Sequence, residues 1–495
     1  MPDRASPLQI AIRELAAPLG WGAFVARLHE APGFWLLDSA LADGRAGRWS
    51  FAGAEPYAIA RAFGDRITIE PCQREGEDSQ RVDARVWRCD PLEALRTIVP
   101  RAERCDIAEA IPFVGGAVGW LGYELAAHVE RVALRPRVDR DMPDAAWLLV
   151  DRVLAYEHAS GRLFATALGH GDDAERAVDH FAERLTHNPI PSQQVDKTNK
   201  LTPGSDSGSV RWRDAGTGLE VGGFFDGDSY AKAVVEIQQQ IAAGELYQAN
   251  LTHRLAARFG GDAWRLFQAL RARSPAPFAA FVELPELTIV GSSPERFLRV
   301  DADGAVETRP IKGTRPRGAT EAEDALLFEE LRSSETERAE NAMIVDLMRN
   351  DLGRVCAPGS IEVPELFAIE RYATLFQLVS TVRGQLRTGC DRVDLLRAAF
   401  PPGSMTGAPK IAAMQLLARL EPVRRGVYAG ALGYLDARGG ADLSVVIRTL
   451  LCRGRDAWLH VGGGIVLDSD PRAEWEETLA KARAPLDALA ATQSE

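Results

Sequence analysis

The 495-residue chain is poor in residues that form disulfides, zinc sites and histidine-based catalytic units. Its six cysteines are scattered without a CxxC pair, a pattern typical of reduced thiols in a cytosolic protein rather than of disulfides or zinc ligands. Its eight histidines are absent from the interval between His253 and His460. The C-terminal half therefore has no obvious Ser-His-Asp or Cys-His unit, and its chemistry must depend on other side chains.

A basic excess, long apolar runs and nucleotide-binding loops are also missing. The net charge of −12 argues against nucleic acid as the main partner, because phosphate binding needs a basic face. The most apolar window, residues 111–127, contains Glu124 and is too short to span a bilayer. The N-terminus lacks the apolar segment of a signal peptide, and there is no Walker A or strand–GxGxxG–helix unit. These absences predict a cytoplasmic protein that binds neither nucleic acid nor membrane.

The composition that remains, 46% hydrophobic and 26% charged, is that of a globular protein with a large core. Residues 1–187 alternate short apolar runs with turn residues, which predicts a strand-rich domain. Residues 188–227 begin with a polar stretch rich in Pro, Ser and Gly, which predicts a linker. Residues 228–495 mix helical and strand patterns without a regular βαβ rhythm, so the predicted fold class is α+β.

Apolar periodicity predicts individual elements. Strand-like runs cover residues 146–158, 278–293, 305–314, 442–452 and 457–467. Helical spacing covers residues 172–185, 229–244, 334–354, 409–420 and about 471–490.

Lys312 is the sharpest single candidate for catalysis. It lies in TRPIKGT (308–314), between a rigid Arg-Pro-Ile lead-in and a glycine, and Glu295 follows a proline in GSSPERF (291–297). A lysine is a nucleophile only when unprotonated, so burial or nearby positive charge must lower its pKa, and a neighbouring carboxyl could act as general acid. Taken alone, a surface lysine in a basic loop is the simpler interpretation.

Two pairs of glutamates are spaced three residues apart, Glu337 with Glu340 and Glu474 with Glu477. This spacing places both members of a pair on one face of a helix. Two such faces brought together would form an oxygen-rich site suited to Mg²⁺. A solvated helix surface is the alternative for either pair by itself.

Polar groups near the C-terminus are further candidates. In VGGGIVLDSD (461–470), Gly463 and Gly464 allow backbone N–H groups to approach an anion closely, and a plain turn is the alternative. Arg448 lies within an apolar strand-like run, where a charged residue is usually paired or functional. Three other residues gain meaning only beside these: Thr406 in the turn-rich loop FPPGSMTGAPK (400–410), Tyr434 and Lys481.

Together these segments resemble the chorismate-utilising enzymes, and within that family the aminodeoxychorismate synthases. The segments that match in family order are AGELYQANLT (243–252), SSPERF (292–297), TRPIKGTRPRG (308–318), ERAENAMIVDLMRNDLGRV (337–355), FPPGSMTGAPK, YAGALGY (428–434), IRTL (447–450) and GGGIVLDSDPRAEWEET (462–478). The N-terminal matches are LLDSA (36–40), RWSFAGAEP (48–56) and GGAVGWLGYE (115–124). The resemblance implies the fold of anthranilate synthase component I, a two-sheet sandwich flanked by helices.

The resemblance also implies a reaction, the replacement of the C4 hydroxyl of chorismate by ammonia. The product is 4-amino-4-deoxychorismate, a precursor of p-aminobenzoate and folate. Lys312 matches a lysine that adds to ring C2 as the hydroxyl departs, before ammonia attacks C4 and expels it, and Glu295 matches the general acid. Anthranilate synthases carry alanine at the lysine position. Gln248, assigned to the substrate site, cannot act as a base, which favours ammonia over water. No glutaminase signature is present, so a separate amidotransferase subunit would supply ammonia from glutamine.

The remaining site residues are assigned by the same resemblance. It implies Mg²⁺ on the ring carboxylate, with Glu340 and Glu477 as ligands and Glu337 and Glu474 assisting through water. The substrate and its two carboxylates are assigned to Thr406, Tyr434, Arg448, the amides of Gly463 and Gly464, and Lys481.

Some family members bind tryptophan in the N-terminal region. Five positions match that pocket: Ser39, Arg48, Trp49, Pro277 and Phe278. Plain packing between domains is the alternative. The chain also departs from the family at Gln377, where histidine is common. Two other functions stay open: an anthranilate synthase component I, against which Lys312 argues, and a non-catalytic relative that binds chorismate or tryptophan.

Overall fold

The computed structural model describes residues 7–16, 20–41, 47–74, 82–103, 111–134, 142–186, 210–372 and 375–493. The N-terminal elements are β1 (Gln9–Leu15), α1 (Gly20–His29), β2 (Trp35–Asp38), β3 (Trp49–Gly53), β4 (Ala58–Phe63), β5 (Arg66–Pro71), β6 (Arg85–Arg88), α2 (Pro91–Ile98), β7 (Gly116–Leu121), α3 (Ala126–Val129), β8 (Ala145–Val150), β9 (Arg152–Glu157), β10 (Arg162–Gly169) and α4 (Asp172–Thr186).

Next in the chain come β11 (Val210–Arg213), β12 (Glu220–Gly223), α5 (Gly227–Ala242), β13 (Gln248–Arg258), α6 (Ala263–Arg273), β14 (Phe278–Glu283), β15 (Thr288–Ser293), β16 (Arg296–Val300), β17 (Ala305–Arg309) and β18 (Ile311–Pro316). The last elements are α7 (Glu321–Ser333), α8 (Glu335–Gly353), β19 (Glu362–Arg371), β20 (Leu375–Gln385), α9 (Arg392–Ala399), β21 (Gly407–Ala408), α10 (Lys410–Leu420), β22 (Ala431–Asp436), β23 (Ala441–Val445), β24 (Thr449–Arg453), β25 (Asp456–Ile465) and α11 (Pro471–Ala491). None of the described helices is long and apolar enough to cross a membrane.

The strands form two antiparallel sheets, which confirms the predicted α+β class. The first sheet has the order β1-β10-β9-β3-β2-β14-β15-β24-β25-β13-β12-β11, with β21 also paired to β13. The second has the order β18-β20-β17-β16-β23-β22-β7-β8-β4-β5-β6, with β19 also paired to β20. Both sheets take strands from before and after the 187–209 interval. The division into residues 1–187 and 228–495 is therefore not a division between sheets.

The two sheets pack face to face, and helices cover their outer faces. Side chains alternate along each strand, so each sheet has one face toward the other sheet and one toward the helices. On β8, Ala146, Leu148 and Val150 lie in the core between the sheets. Trp147 and Leu149 lie on the opposite face, in a core that includes α2, α8 and α9. A third core joins the outer face of the first sheet to α4, α6 and α11. The predicted sandwich flanked by helices is confirmed.

The two helices that carry the glutamate pairs begin at side-chain caps. Ser334 accepts a hydrogen bond from the N–H of Glu337 at the start of α8. Asp470 accepts hydrogen bonds from the first-turn N–H groups of α11, and Pro471 follows it. Both arrangements satisfy N–H groups that would otherwise lack partners at a helix start. The predicted helices over 334–354 and 471–490 are confirmed within two residues at each end.

The predicted linker is corrected at its C-terminal end. Residues 188–209 of it lie outside the described residues. Residues 210–227 include β11 and β12, which extend the first sheet beside β13. Strand β11 lies at the sheet edge with Arg211 and Arg213 exposed, while the ring of Trp212 lies 6.4 Å from that of Trp475. Strand β11 has one polar face and few apolar residues, so its sequence resembles that of a linker.

Two predicted apolar runs change sheet part-way, and a third crossover lies between β15 and β16. The predicted strand over 442–452 is two strands, β23 in the second sheet and β24 in the first. The run over 146–158 likewise divides into β8 and β9, and the chain also changes sheet between β15 and β16. Since both sheets are buried, apolar residues occur on both sides of each crossover and the pattern does not show the change of sheet. Two of these crossovers carry the candidate residues Glu295 and Arg448.

Candidate active site

Lys312 lies in a β-bulge on β18, at the edge of the second sheet. Ile311 pairs with Val379, but Thr314 pairs with Gln377, so β18 has one extra residue between these pairs. Such a bulge changes the direction of a side chain. The Lys312 Nζ lies 3.4 Å from Oε2 of Glu340 on α8.

The glycine that follows Lys312 is required by its surroundings. Gly313 has a φ of +80°. A Cβ at this position would lie 2.8 Å from Cδ1 of Leu331 and 3.0 Å from Oε2 of Glu337. The strand can approach α8 this closely only because residue 313 has no side chain.

Gln248 and Gly464 meet Lys312 from the first sheet. A Cβ on Gly464 would lie 2.1 Å from Nε2 of Gln248 and 3.5 Å from Nζ of Lys312. Gln248 is buried, and its Oε1 has no hydrogen-bond partner in the part of the chain that the structure describes. An unsatisfied buried acceptor costs about 1–3 kcal/mol, so this oxygen is a group that a ligand could satisfy.

The glycine run is a strand segment, as the predicted strand over 457–467 implies, and the alternative of a plain turn is excluded. Gly463 and Gly464 belong to β25 and pair with Leu251 and Asn250 of β13. A Cβ on Gly463 would lie 2.9 Å from Oε2 of Glu474. The run therefore lacks side chains because other polar groups approach its backbone closely. Strand β24 pairs with β25 only as far as Leu459, which leaves this part of β25 paired to β13 alone among the described strands.

Glu295 lies in the crossover between β15 and β16, and only 6% of its surface is exposed. Burial raises the pKa of its carboxyl to about 7, against the opposing effects of a hydrogen bond from Ser404, the charge of Lys312 and the N–H of Ile311. A carboxylic acid with such a pKa still carries its proton in a large fraction of molecules near neutral pH. Ser404 was missed in the sequence, although it lies in the turn-rich loop that also contains Thr406.

Arg448 lies in the crossover between β23 and β24, beside that of Glu295. The Val445 N–H donates to the Glu295 carbonyl (3.0 Å), and the Ser292 N–H donates to the Arg448 carbonyl (3.1 Å). Arg448 has a φ of +49°, which is costly for a bulky residue. Burial lowers the pKa of its guanidinium, which forms no hydrogen bond or ion pair with any described residue. Such a cation can take an anionic ligand.

The four predicted metal ligands face one another across the site. Burial raises the pKa of Glu337, and repulsion from Glu340 raises it further. Burial also raises the pKa of Glu474, as do the charges of Glu477 and Glu340, against a hydrogen bond from Ser469. The two pairs are therefore close enough to repel each other.

This donor set fits Mg²⁺, because its atoms are carboxylate oxygens with an excess of negative charge. Within the described residues, no three His, Cys, Asp or Glu side chains are already arranged as a metal cage. Glu340 is instead paired with Lys312, and Glu477 lies 2.6 Å from Nζ of Lys481. Which of these carboxylates holds a metal stays a prediction.

The other two predicted substrate residues beside this group contact backbone. Lys481 Nζ donates to the Gly462 carbonyl at 3.0 Å, so it lies against the glycine run. Thr406 is completely buried, and its hydroxyl donates to the Gly403 carbonyl at 3.1 Å. Its own carbonyl accepts the N–H of Asn250. In this structure Thr406 ties the 400–410 loop to β13.

Residues 38–487 match the profile of the chorismate binding enzyme family. The chain belongs to this family. It is 40% identical over 490 residues to an aminodeoxychorismate synthase from Streptomyces griseus, an alignment that covers 97% of this chain and 64% of the relative. The chain thus spans less than two thirds of the length of that relative. It is 37% identical over 460 residues to aminodeoxychorismate synthase component 1 from Escherichia coli, covering 92% of this chain and 93% of the relative.

A crystal structure of anthranilate synthase component I from Streptococcus pneumoniae superposes with a TM-score of 0.72 at 27% identity. The alignment covers 89% of this chain and 92% of that one. Together with the two sheets described above, this similarity confirms the predicted fold for this chorismate-binding enzyme.

Tyr434 does not lie with the other predicted substrate residues of this chorismate-binding enzyme. Alternation along β22 turns its ring into the core between the sheets, where it stacks on Phe113 with ring centroids 4.5 Å apart. It lines a cavity of about 660 Å³ that also contains Asp442 and Arg296. The assignment of Tyr434 to the substrate beside Lys312 is therefore corrected.

The same cavity brings together the five residues predicted for a tryptophan pocket. Ser39, Arg48, Trp49, Pro277 and Phe278 all line it. The Ser39 hydroxyl donates to the carbonyls of Trp49 (2.8 Å) and Pro277 (3.1 Å), which joins β3 to the start of β14. Arg48 donates to Glu157 at 2.8 Å. The volume lies within the range of about 300–1,000 Å³ typical of ligand pockets.

Gln377, the departure from the family, lies close to the nucleophile candidate. It is buried on β20, where it pairs with Thr314 of β18, two residues beyond Lys312. Gln377, in place of the histidine common in the family, therefore lies on the strand that pairs with the bulge.

Proposed function

We propose that this chorismate-binding enzyme is the component I of an aminodeoxychorismate synthase, converting chorismate and ammonia to 4-amino-4-deoxychorismate. The single observation that carries the proposal is Lys312, which a bulge and Gly313 aim at Gln248 and Gly464. The relatives from Streptomyces griseus and Escherichia coli, both named aminodeoxychorismate synthases, support it.

In the proposed reaction, Lys312 Nζ forms a bond to ring C2 while the C4–O bond breaks. Hydroxide is a poor leaving group, so Glu295 gives its proton to the departing oxygen. The pKa of about 7 supports this role, because the proton is present near neutral pH and can be released. Ammonia then attacks C4, and the C2–N bond to Lys312 breaks. Dividing one difficult displacement into two is ordinary nucleophilic catalysis.

Lys312 attacks through the lone pair of Nζ, but Nζ lies within ion-pair distance (3.4 Å) of the Glu340 carboxylate. Attack therefore requires Glu340 to be engaged elsewhere. Coordination of Mg²⁺ by Glu340 and Glu477, with Glu337 and Glu474 assisting through water, would provide that engagement. The ion would supply positive charge for the ring carboxylate.

Two anionic groups of the substrate need several donors, and the described residues offer them. Arg448, which has no partner among the described residues, would hold one carboxylate. The amides of Gly463 and Gly464 and the ammonium of Lys481 lie along one strand edge and would hold the other. Gln248 Oε1, an unsatisfied acceptor, would accept an N–H of ammonia.

We propose that a separate amidotransferase subunit releases ammonia from glutamine for this reaction. The name "component 1" of the Escherichia coli relative supports a second component. Free ammonium salt should therefore replace the partner in a test with the purified chain.

The proposal is tested by incubating the purified chain with chorismate, Mg²⁺ and ammonium salt at mildly alkaline pH, and then adding an aminodeoxychorismate lyase. Formation of p-aminobenzoate is the expected result. Anthranilate formed before the lyase is added would identify an anthranilate synthase instead. Absence of turnover together with measurable chorismate binding would identify a non-catalytic relative.

We also propose that the cavity around Ser39 and Trp49 holds tryptophan. Its mixed aromatic and polar lining supports an aromatic amino acid. Isothermal titration with tryptophan should show one site, with phenylalanine as the smaller control. No heat of binding from tryptophan would leave plain packing as the role of these residues.

A further inference from the structure

Arg425 is a buried arginine, 2% exposed, in the segment between α10 and β22. Its guanidinium donates to the Met405 carbonyl at 2.6 Å and to the Asn250 carbonyl at 2.8 Å. It also donates to both carboxylate oxygens of Glu421, at 2.9 and 2.6 Å. The ring of Tyr123 lies against it, with the centroid 4.4 Å from Cζ.

Glu421 extends this group to a second point on β13. Its Oε1 accepts hydrogen bonds from the N–H of Thr252 (3.1 Å) and the hydroxyl of Thr252 (2.9 Å). Arg425 and Glu421, which we call the Arg425–Glu421 clamp, therefore join the 400–410 loop to two positions on β13, Asn250 and Thr252.

Each segment held by the clamp carries a group of the candidate active site. Met405 directly follows Ser404, which hydrogen-bonds to Glu295. Asn250 lies two residues beyond Gln248, whose amide meets Gly464 next to Lys312. The clamp thus binds the backbone one residue from Ser404, the partner of Glu295, and two residues from Gln248, the neighbour of Lys312.

Stability alone is a weak reason to bury such a pair. Removing two charges from water is costly, and well-packed apolar residues often stabilise a core equally well. What the guanidinium provides is direction, because its planar fork fixes several acceptors at defined angles. Lysine cannot reproduce that geometry with a single ammonium group.

We propose that Arg425 and Glu421 are positioning residues that hold Ser404 against Glu295 and Gln248 against Lys312. This inference rests on the proposed role of Glu295 as the acid. Neither residue touches the reacting atoms, and the groups proposed to bind the substrate carboxylates lie outside the clamp. Loss of the clamp should therefore affect turnover more than substrate binding.

The test is the variant Arg425→Lys, which keeps the charge and removes the fork. We expect kcat to fall by about 10²-fold, the effect of a small misplacement of reacting groups, with the KM for chorismate changed by less than about twofold. We also expect the alkaline limb of the kcat profile to move to higher pH, because the Ser404 hydrogen bond would no longer lower the pKa of Glu295. A large rise in KM with unchanged kcat would overturn the proposal.

Ser404→Ala provides the matched comparison, since it removes the hydroxyl and leaves the clamp intact. It should move the same limb in the same direction. The double variant should show no further shift, because both changes remove one interaction. Additive shifts would contradict the proposal.

Arg61→Lys is the control for a purely structural effect. Arg61 is also buried and donates to both oxygens of Glu286, at 2.6 and 3.0 Å, but it lies on β4. The Arg61→Lys variant should be less stable than wild type, and the pH dependence of its kcat should be unchanged. If Arg425→Lys lowers kcat no more than Arg61→Lys does, the positioning role is wrong.

A spectroscopic titration separates this inference from the proposed function. The carboxyl band of Glu295, identified by its absence in Glu295→Gln, can be titrated by infrared spectroscopy without turnover. Arg425→Lys should raise that titration midpoint and Arg61→Lys should not, whichever product the wild-type chain forms. An unchanged midpoint in Arg425→Lys would overturn the inference, whereas a wrong product would overturn only the proposed function.

Discussion

At the scale of single residues, the unusual side chains lie where the chain changes sheet. Glu295 and Arg448 occupy two adjacent crossovers, linked by backbone hydrogen bonds. In a crossover, a polar side chain is buried between the two sheets and is not flanked by side chains of paired strands. Burial then dominates the electrostatics, raising the pKa of the acid and lowering that of the arginine. Both residues therefore stay candidates for contact with a ligand.

Replacement of the proposed nucleophile is the first prediction at this scale. Lys312→Ala should abolish any covalent adduct seen by mass spectrometry of the chain with chorismate, and lower turnover by on the order of 10³-fold or more. Lys232→Ala, on α5, is the control and should keep the adduct. An adduct that persists in Lys312→Ala would remove Lys312 from this role.

A second prediction concerns Glu295 and stability. Its folded pKa of about 7 is above the ordinary value of 4.5, so the folded state holds the proton more tightly than the unfolded state. Stability from this group is therefore present at low pH and is lost as pH rises through about 7. Between about pH 5 and pH 8, Glu295→Gln should gain about 2–3 kcal/mol relative to wild type in urea unfolding. A constant difference across that range would contradict the buried acid.

At the scale of elements, the Lys312 side chain of β18 lies close to β25 because Gly464 has no side chain at that point. The run Gly462 to Gly464 lies inside β25, where Gln248, Lys312 and Glu474 approach its backbone. Glycine weakens a strand, so three in succession are understandable only through this close approach. The sequence predicted a strand over 457–467 but left a plain turn open for the glycines, and the register with β13 excludes the turn.

Gly464→Ala tests that contact. The new Cβ would overlap Nε2 of Gln248, so we expect the glutamine to be displaced and turnover to fall by about 10²-fold. Gly22→Ala in α1, where a Cβ meets nothing within 4 Å, should leave turnover unchanged. Equal activity of the Gly464→Ala variant and wild type would show that the strand can relax without cost.

At the scale of the whole molecule, the site joins the two sheets. Helix α8 packs on the second sheet and α11 on the first, and their glutamates face each other. Mutual repulsion between the two helices would be relieved by a cation that both hold. A metal at this position would therefore stabilise the sandwich as well as assist the reaction.

Mg²⁺ should accordingly raise the melting temperature of the chain. At about 100 times its Kd, one bound ion adds ~2.7 kcal/mol, which corresponds to a shift of a few degrees. Glu340→Gln should abolish the shift, whereas Glu335→Gln on the same helix should keep it. A shift that survives in Glu340→Gln would exclude that carboxylate as a ligand.

The sequence by itself determined the fold class, the two glutamate-bearing helices and the identity of Lys312 and Glu295 as candidates. These depend on local periodicity, capping residues and motif spacing, which are properties of short segments. Tertiary structure alone decided that Tyr434 lies in the other cavity, that strands within residues 210–223 extend a sheet, that Ser404 hydrogen-bonds to Glu295 and that Arg425 binds the Met405 carbonyl. Those outcomes depend on which sheet a strand joins and which face it turns inward. Because both sheets are buried, strands of either sheet have the same apolar pattern, and the pattern does not show which sheet a strand joins.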